Sequence, residues 1–569
     1  MNGILMMAIA IVVLGGAYLL YGGWLAKKWG VDPDRKTPAV EINDGVDYVP
    51  SDSHVVFGHQ FASIAGAGPI NGPIQAAIFG WVPVLLWILI GGVFIGAVQD
   101  FSSMFASVRN KGRTIGYIIE QYIGKAGKKL FLAFCWLFSI LVVAAFADVV
   151  AGTFNGFGAS VDGVAARIAT NGSVATTSMI FIIFALALGL VIRYAKLAKW
   201  QGVIAAVAML AAAIAIGLAA PMYVSQSAWH IIIFLYVLVA SVVPIWLLLQ
   251  PRDYLNSYLL VAMIAASVIG VFVANPSINL PAFTTFNVGG QSLFPMMFVT
   301  IACGAVSGFH SLVSSGTASK QITNERHMLP ISFGGMLLES LLAVISLIAI
   351  ASFASVQSAQ ELGYLTPPQQ FAGGVASFLT KIGLPHNFIF TLINLSVSAF
   401  ALTSLDSVAR VGRLAFQEFF QDDAEQPGVV ASFFTNKYVA TVATLLFAYL
   451  LAKAGYTAIW PLFGSANQLL SALALIACAV FLKKTERMYR NMIIPIFFMI
   501  AVTFTALIIK IVQLIQALAQ HTGASAFGNG LQLVFAVLVL GLGVCVAGQG
   551  VKMLLGRKTE RSASAGTAA

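Results

Sequence analysis

Two stretches of the chain place a histidine just ahead of a run of small residues. The first is Gly58-His59-Gln60-Phe61-Ala62-Ser63-Ile64-Ala65-Gly66-Ala67-Gly68-Pro69-Ile70-Asn71-Gly72-Pro73. The second is Gly304-Ala305-Val306-Ser307-Gly308-Phe309-His310-Ser311-Leu312-Val313-Ser314-Ser315-Gly316-Thr317-Ala318-Ser319-Lys320. Glycine and proline at this density interrupt a helix, because proline removes a backbone donor and glycine gives up helix propensity. An interrupted helix offers free N–H groups to an anion and free carbonyls to a cation. Gly66 and Gly68 would let a substrate approach the backbone closely, and so would Gly316 beside the hydroxyls of Ser314, Ser315 and Thr317. His59 and His310 titrate near neutral pH and can couple proton movement to substrate binding. The bland alternative is tight helix packing on small residues, with each histidine in an ordinary helix–helix hydrogen bond.

Carboxylates are the second set. Asp100, Asp148 and Glu339 lie inside long apolar runs, where an ionisable group reads either as an ion- or proton-coupling residue or as a member of a buried pair. Asp406 stands one turn before Arg410, so an i,i+4 ion pair competes with a coupling role. Thr403 and Ser404 just before it could supply hydroxyl ligands to a sodium ion, or could cap backbone. Gly66-Ala67-Gly68-Pro69 is not a nucleotide loop, since no strand precedes it and no Lys-[ST] ends it. The cysteines (Cys135, Cys303, Cys478 and Cys545) fall inside apolar runs with no C-x-x-C spacing, and no metal-ligand spacing or nucleophile–base arrangement occurs. No cofactor and no enzymatic activity are expected.

These groups must be positioned by membrane helices. Of 569 residues 59% are hydrophobic and only 9% are charged, against about 25% charged in soluble domains. The apolar residues come in runs of about twenty, the length that crosses about 30 Å of hydrocarbon. About fifteen such runs predict an all-α polytopic protein, with the interrupted ones over 57–79 and 294–318. The net charge of +10 does not point to nucleic acid, because the basic residues cluster in alternate loops beside the span ends. Arg167, Lys381 and Lys453 alone fall on the other side, which predicts an outside N-terminus, a cytoplasmic C-terminus and an inner-membrane location. The charge pattern leaves the oligomeric state open.

The two breaks also share their sequels. Gly91-Gly92 then Asp100 follow the first, and Gly334-Gly335 then Glu339 follow the second. This predicts a five-plus-five inverted repeat with the site at the interrupted helices. The expected division is 1–56 (first helix and linker), 57–220 (first repeat), 221–290 (two connecting helices), 291–482 (second repeat) and 483–569 (two helices and a Ser/Ala-rich tail expected to be disordered after Lys558). Residues 154–174 and 357–384 read as the larger outer loops, and 112–127 as a short interfacial helix.

The sequence resembles the carbon starvation protein A (CstA) family of bacterial membrane proteins. The resemblance rests on Tyr48-Val49-Pro50, the run from Phe57 to Pro69, Leu86-Trp87-Ile88-Leu89-Ile90-Gly91 and Gly96-Ala97-Val98-Gln99-Asp100-Phe101. It continues in Ser307-Gly308-Phe309-His310-Ser311, Ser314-Ser315-Gly316-Thr317, Trp460-Pro461-Leu462-Phe463-Gly464 and Asn467-Gln468-Leu469-Leu470. This last stretch adds Asn467 and Gln468 to the candidate substrate-binding residues. Members are described as peptide transporters induced by starvation and some as proton-driven pyruvate importers, and they look like relatives of the amino acid–polyamine–organocation (APC) transporters with their LeuT-like repeat. The family often has a second histidine where this chain has Gln60. The resemblance thus implies a symporter for a small nutrient in the bilayer, with the proton as coupling ion and sodium as the alternative. A nutrient-binding sensor and a sodium-coupled amino-acid-like symporter are the competing functions.

Overall fold

The computed structural model describes residues 1–45, 48–161, 164–195, 199–243, 248–421, 428–520 and 526–556. The tail after Lys558, Asp47 of the linker and Lys196 of a basic loop lie outside the described residues.

Helices dominate. The chain runs through α1 (Gly3–Trp29), α2 (Ser53–Ile64) and α3 (Gly68–Ala76), α4 (Trp81–Arg109), α5 (Ile115–Tyr122) and α6 (Lys125–Phe154). It continues through α7 (Ala169–Ala195), α8 (Lys199–Ala219), α9 (Gln226–Val242) and α10 (Leu249–Ala274). Then come α11 (Gly308–Gly316), α12 (Glu325–Ala351), α13 (Pro367–Leu379) and α14 (His386–Phe420). The last are α15 (Lys437–Ala452) and α16 (Tyr456–Lys484), α17 (Arg490–Ala519) and α18 (Ala526–Leu555). Among the described residues ten helices are long and apolar enough to cross a membrane.

Burial sorts these helices into a centre and a rim. The most apolar stretch of α16 is 100% buried and that of α14 is 89%, whereas α1 is 28% buried and α17 and α18 are 39%. In a bilayer the outer faces meet lipid, so apolar side chains such as Leu19, Leu20 and Ile494 stand exposed without penalty. The centre is α6 lying along α14 and α16, with α4 and α11 against α16. Asp100, Asp148, His310, Asp406, Asn467 and Gln468 belong to this centre, while His59 lies on α2, Glu339 on α12 and Cys545 on the rim helix α18.

Two stretches read as loops are more ordered than their composition suggests. Within 154–174 the chain forms a hairpin of β1 (Phe157–Val161) and β2 (Val164–Arg167), and α7 begins at Ala169. A second two-stranded ribbon pairs β3 (Asn287–Val288) with β4 (Gln291–Ser292). Within 357–384 lies the buried helix α13. Its two prolines and two glutamines look like loop residues, yet the prolines sit in the first turn and Gln369 closes a capping box with Thr366. Gln369 also donates to Asn171 Oδ1 at 2.9 Å, and Gln370 to the Tyr364 carbonyl at 3.1 Å.

Candidate functional site

The first break is short. Helix α2 stops at Ile64 and α3 starts at Gly68, leaving Ala65, Gly66 and Ala67 outside helix. Gly66 N–H turns back to the Ile64 carbonyl at 2.8 Å. The Ala67 and Gly68 N–H groups and the Ala65 and Gly66 carbonyls have no hydrogen-bond partner among the described residues. Glycine is required for space here. A Cβ on Gly66 would lie 2.6 Å from Ser404 Oγ, and one on Gly68 would overlap Cys303.

The second break is longer and held differently. A short helical segment, Phe298–Thr300, ends at Ile301, and α11 resumes at Gly308. Three side chains of α16 grip the gap. Gln468 Nε2 donates to the Phe298 carbonyl (2.6 Å), Trp460 Nε1 to the Thr300 carbonyl (3.2 Å), and Asn467 Oδ1 accepts from the Phe309 N–H (3.1 Å). From α4, Gln99 Nε2 donates to the Ser307 carbonyl at 2.7 Å, while its oxygen accepts from Ser471 of α16. Asn467 thus takes one N–H of the first turn of α11, whereas no side chain among the described residues takes an N–H at the start of α3.

A small pocket lies between the breaks. Its polar contributors are Gly66, Gly68, Cys303, Ser404 and Asn467, and the rest is apolar and aromatic, including Phe138, Phe146, Phe309 and Phe463. An apolar enclosure with a few convergent polar groups is the usual form of a small-molecule site.

Directly behind Phe309, three of the residues marked by sequence meet. His310 Nδ1 is 3.0 Å from Asp100 Oδ2 on α4, and His310 Nε2 is 3.2 Å from Glu339 Oε2 on α12. All three side chains are fully buried. With the imidazole protonated and both carboxylates ionised the cluster carries one net negative charge, which is costly at membrane depth; one more proton neutralises it.

The remaining marked residues spread over several environments. His59 is half-buried and its ring makes no hydrogen bond among the described residues. Gln60 beside it donates to Ser314 Oγ at 2.8 Å. Ser315 Oγ donates to the Ser311 carbonyl and accepts from the Ile115 N–H, tying α11 to α5, and Thr317 Oγ1 donates to the Val313 carbonyl. Gly316 faces open space. Thr403 accepts from Asn256 of α10 and faces away from Ser404, which points at Gly66. Asp148 Oδ1 receives His230 Nε2 (2.7 Å) and Gln226 Nε2 (3.0 Å), and its Oδ2 accepts from the Tyr456 N–H (2.5 Å). Asp406 pairs with Arg252 and Tyr236 rather than with Arg410, whose guanidinium instead donates to the Ala240 and Val243 carbonyls. The i,i+4 expectation fails because α9 and α10 bring the deeper partners to one face of α14, and Arg410 reaches the uncapped end of α9.

Sequence reading passed over His230, Tyr236, Arg252, Asn256 and Gln99. Arg252 follows Pro251 at a point that reads as a loop between two apolar runs. His230 is alone in an apolar run, and only its partner Asp148 signals it.

An all-helical bundle with many spans, interrupted helices at its centre and buried ionisable groups beside them defines a multi-pass membrane transporter. A solved structure with a similar fold is a histidine-to-alanine mutant of the manganese transporter of Eremococcus coleocola, with a TM-score of 0.50 and 11% identity over 90% of this chain and 97% of that one. The particular family follows from sequence. The chain belongs to the carbon starvation protein CstA family, whose model matches residues 2–362 and 354–506. It is 32% identical to the peptide transporter CstA of Escherichia coli (strain K12), over 83% of this chain and 75% of the relative. It is likewise 32% identical to the peptide transporter CstA of Bacillus subtilis (strain 168), over 85% and 86%. The pyruvate/proton symporter BtsT of E. coli (strain K12) is 30% identical over 83% and 76%.

Proposed function

We propose that the protein is a secondary active importer that carries a small carboxylate nutrient, pyruvate or a short peptide, inward with protons when carbon is scarce. The observation that carries this reading is the first break. Unpaired N–H groups stand at the start of α3, beside a pocket that Gly66 and Gly68 line together with Ser404 and Cys303, and Asp100–His310–Glu339 stands one residue behind its wall. The N–H groups and the positive helix end suit a carboxylate.

In this reading the buried triad takes up the coupling proton. His310 holds it between the two carboxylates, and its neutralisation accompanies substrate entry. Ser404 with the free carbonyls of the break is the place a sodium ion would take if sodium replaced the proton; Asp148 and Asp406 are separate ion pairs on the same helices. Ten long spans, three shorter apolar helices and the two interrupted crossings would make the fifteen crossings of a LeuT-like, five-plus-five arrangement over 57–220 and 291–482, with the N-terminus outside.

The test is uptake of radiolabelled pyruvate and of dipeptides by purified protein in liposomes. Uptake driven by an inward proton gradient and abolished when that gradient is collapsed is expected. Unchanged uptake after collapse contradicts proton coupling, and dependence on a sodium gradient selects the alternative ion. Substrate counterflow separates a transporter from a sensor, which binds without exchange.

A further inference from the structure

Above the pocket stands a second buried polar cluster that the proposed transport cycle does not use. Asp148 lies on α6 two residues beyond Phe146, whose ring is 5.6 Å from Phe463 and 6.2 Å from Trp460. Trp460 and Phe463 are themselves 5.1 Å apart. Phe146 and Phe463 line the pocket as its roof, and Trp460 packs behind them. Trp460 and Phe463 sit one and two turns into α16, and the first residue of that helix, Tyr456, gives its N–H to Asp148 Oδ2 at 2.5 Å. The carboxylate thus caps the helix that carries the roof. Its other oxygen is gripped by Gln226 and His230, one turn apart on α9.

We infer that His230 is a positioning residue for the roof: its imidazole clamps Asp148 onto the start of α16 and so keeps Phe463, with Trp460 behind it, closed over the pocket. This rests on the reading of the pocket as the transport site. The imidazole Nε2 stands 2.7 Å from Asp148 Oδ1, so the clamp is a direct contact between α9 and α6, and the same carboxylate reaches on to α16.

Cys303 lines the pocket and reports on the roof. Cys135, Cys303 and Cys478 are all buried and Cys545 is exposed; of the three buried thiols Cys303 alone lines the pocket, so Cys545→Ser leaves it as the reporter that opening of the roof uncovers. The reaction of full-length protein in sealed vesicles with a membrane-impermeant methanethiosulfonate is followed at one fixed pH. His230→Ala is expected to raise labelling on the order of tenfold, the loss of one hydrogen bond to a charged group. His230→Gln, which keeps a donor to the carboxylate, is expected to restore slow labelling. Labelling of His230→Ala at the parent rate overturns the inference, and so does equal acceleration in His230→Gln, which would reduce the residue to packing. The readout is access rather than flux, so absence of uptake by the parent protein would refute the transport reading while leaving this result standing.

Discussion

The two interruptions look alike in sequence, each with a histidine, glycines and small hydroxyl residues, but the structure holds them differently. Around Ala65–Ala67 no side chain among the described residues takes the unpaired backbone groups, and Gly66 and Gly68 line a pocket. Around Ile301–Ser307 side chains grip the ends of the gap, Gln468 and Trp460 at the Phe298 and Thr300 carbonyls, Gln99 at the Ser307 carbonyl and Asn467 at the Phe309 N–H, while the Ala302, Cys303 and Gly304 N–H groups have no partner among the described residues. A buried backbone group without a partner costs about 1–3 kcal/mol, so a break inside a membrane protein is either braced or is kept for a ligand. The second break is braced, and its α11 then serves as a rigid post presenting His310 to Asp100 and Glu339. In the proposed reading the first keeps its donors for cargo.

That division can be broken or sharpened by substitution. The largest effect is expected at the post: Glu339→Gln should abolish proton-driven uptake, with a loss of about 100-fold or more. Glutamine mimics the protonated carboxyl, so the cluster is held in its neutral form and has no second proton to exchange. Parallel measurement of proton and substrate flux checks it, and coupled flux at parental stoichiometry would remove Glu339 from the coupling scheme. At the open break, Gly66→Ala places a methyl 2.6 Å from Ser404 Oγ; uptake should fall by about tenfold or more while thermal unfolding shifts little, since only a side-chain hydroxyl must move. At the braced break the pattern reverses. Asn467→Ala should lower stability by about 1–3 kcal/mol, read as a drop in the detergent melting temperature, because Phe309 N–H and Ser307 lose their partner. The smallest change is expected for Gln468→Ala, about 0.5–1.5 kcal/mol, as it leaves a single carbonyl unpaired. Equal stability losses at Gly66 and Asn467 would erase the distinction between the two breaks.

Much of this was legible in the residues themselves. Proline and glycine density locates both breaks to within a few residues, because those types alter the backbone locally. The rarity of charge at membrane depth picks out Asp100 and Glu339, and histidine chemistry picks out His310. What spacing along the chain does not carry is which of them meet: Asp100, His310 and Glu339 come from three helices. The same limit explains Asp406. Its neighbour Arg410 is one turn away, yet Arg252 arrives across the bundle from α10. Helix α13 stayed hidden for another reason, since its prolines and glutamines are loop-like in type and helix-forming only in their capping positions.

The central claim is that cargo binds at the first break, in the pocket beside Cys303. Its most direct measurement is the rate of Cys303 alkylation in the Cys545→Ser protein with and without saturating pyruvate or dipeptide. Protection by the transported substrate is predicted, retained in Gln468→Ala and lost in Gly66→Ala. An alkylation rate unchanged by a substrate that the same vesicles take up would place the cargo elsewhere and contradict the account.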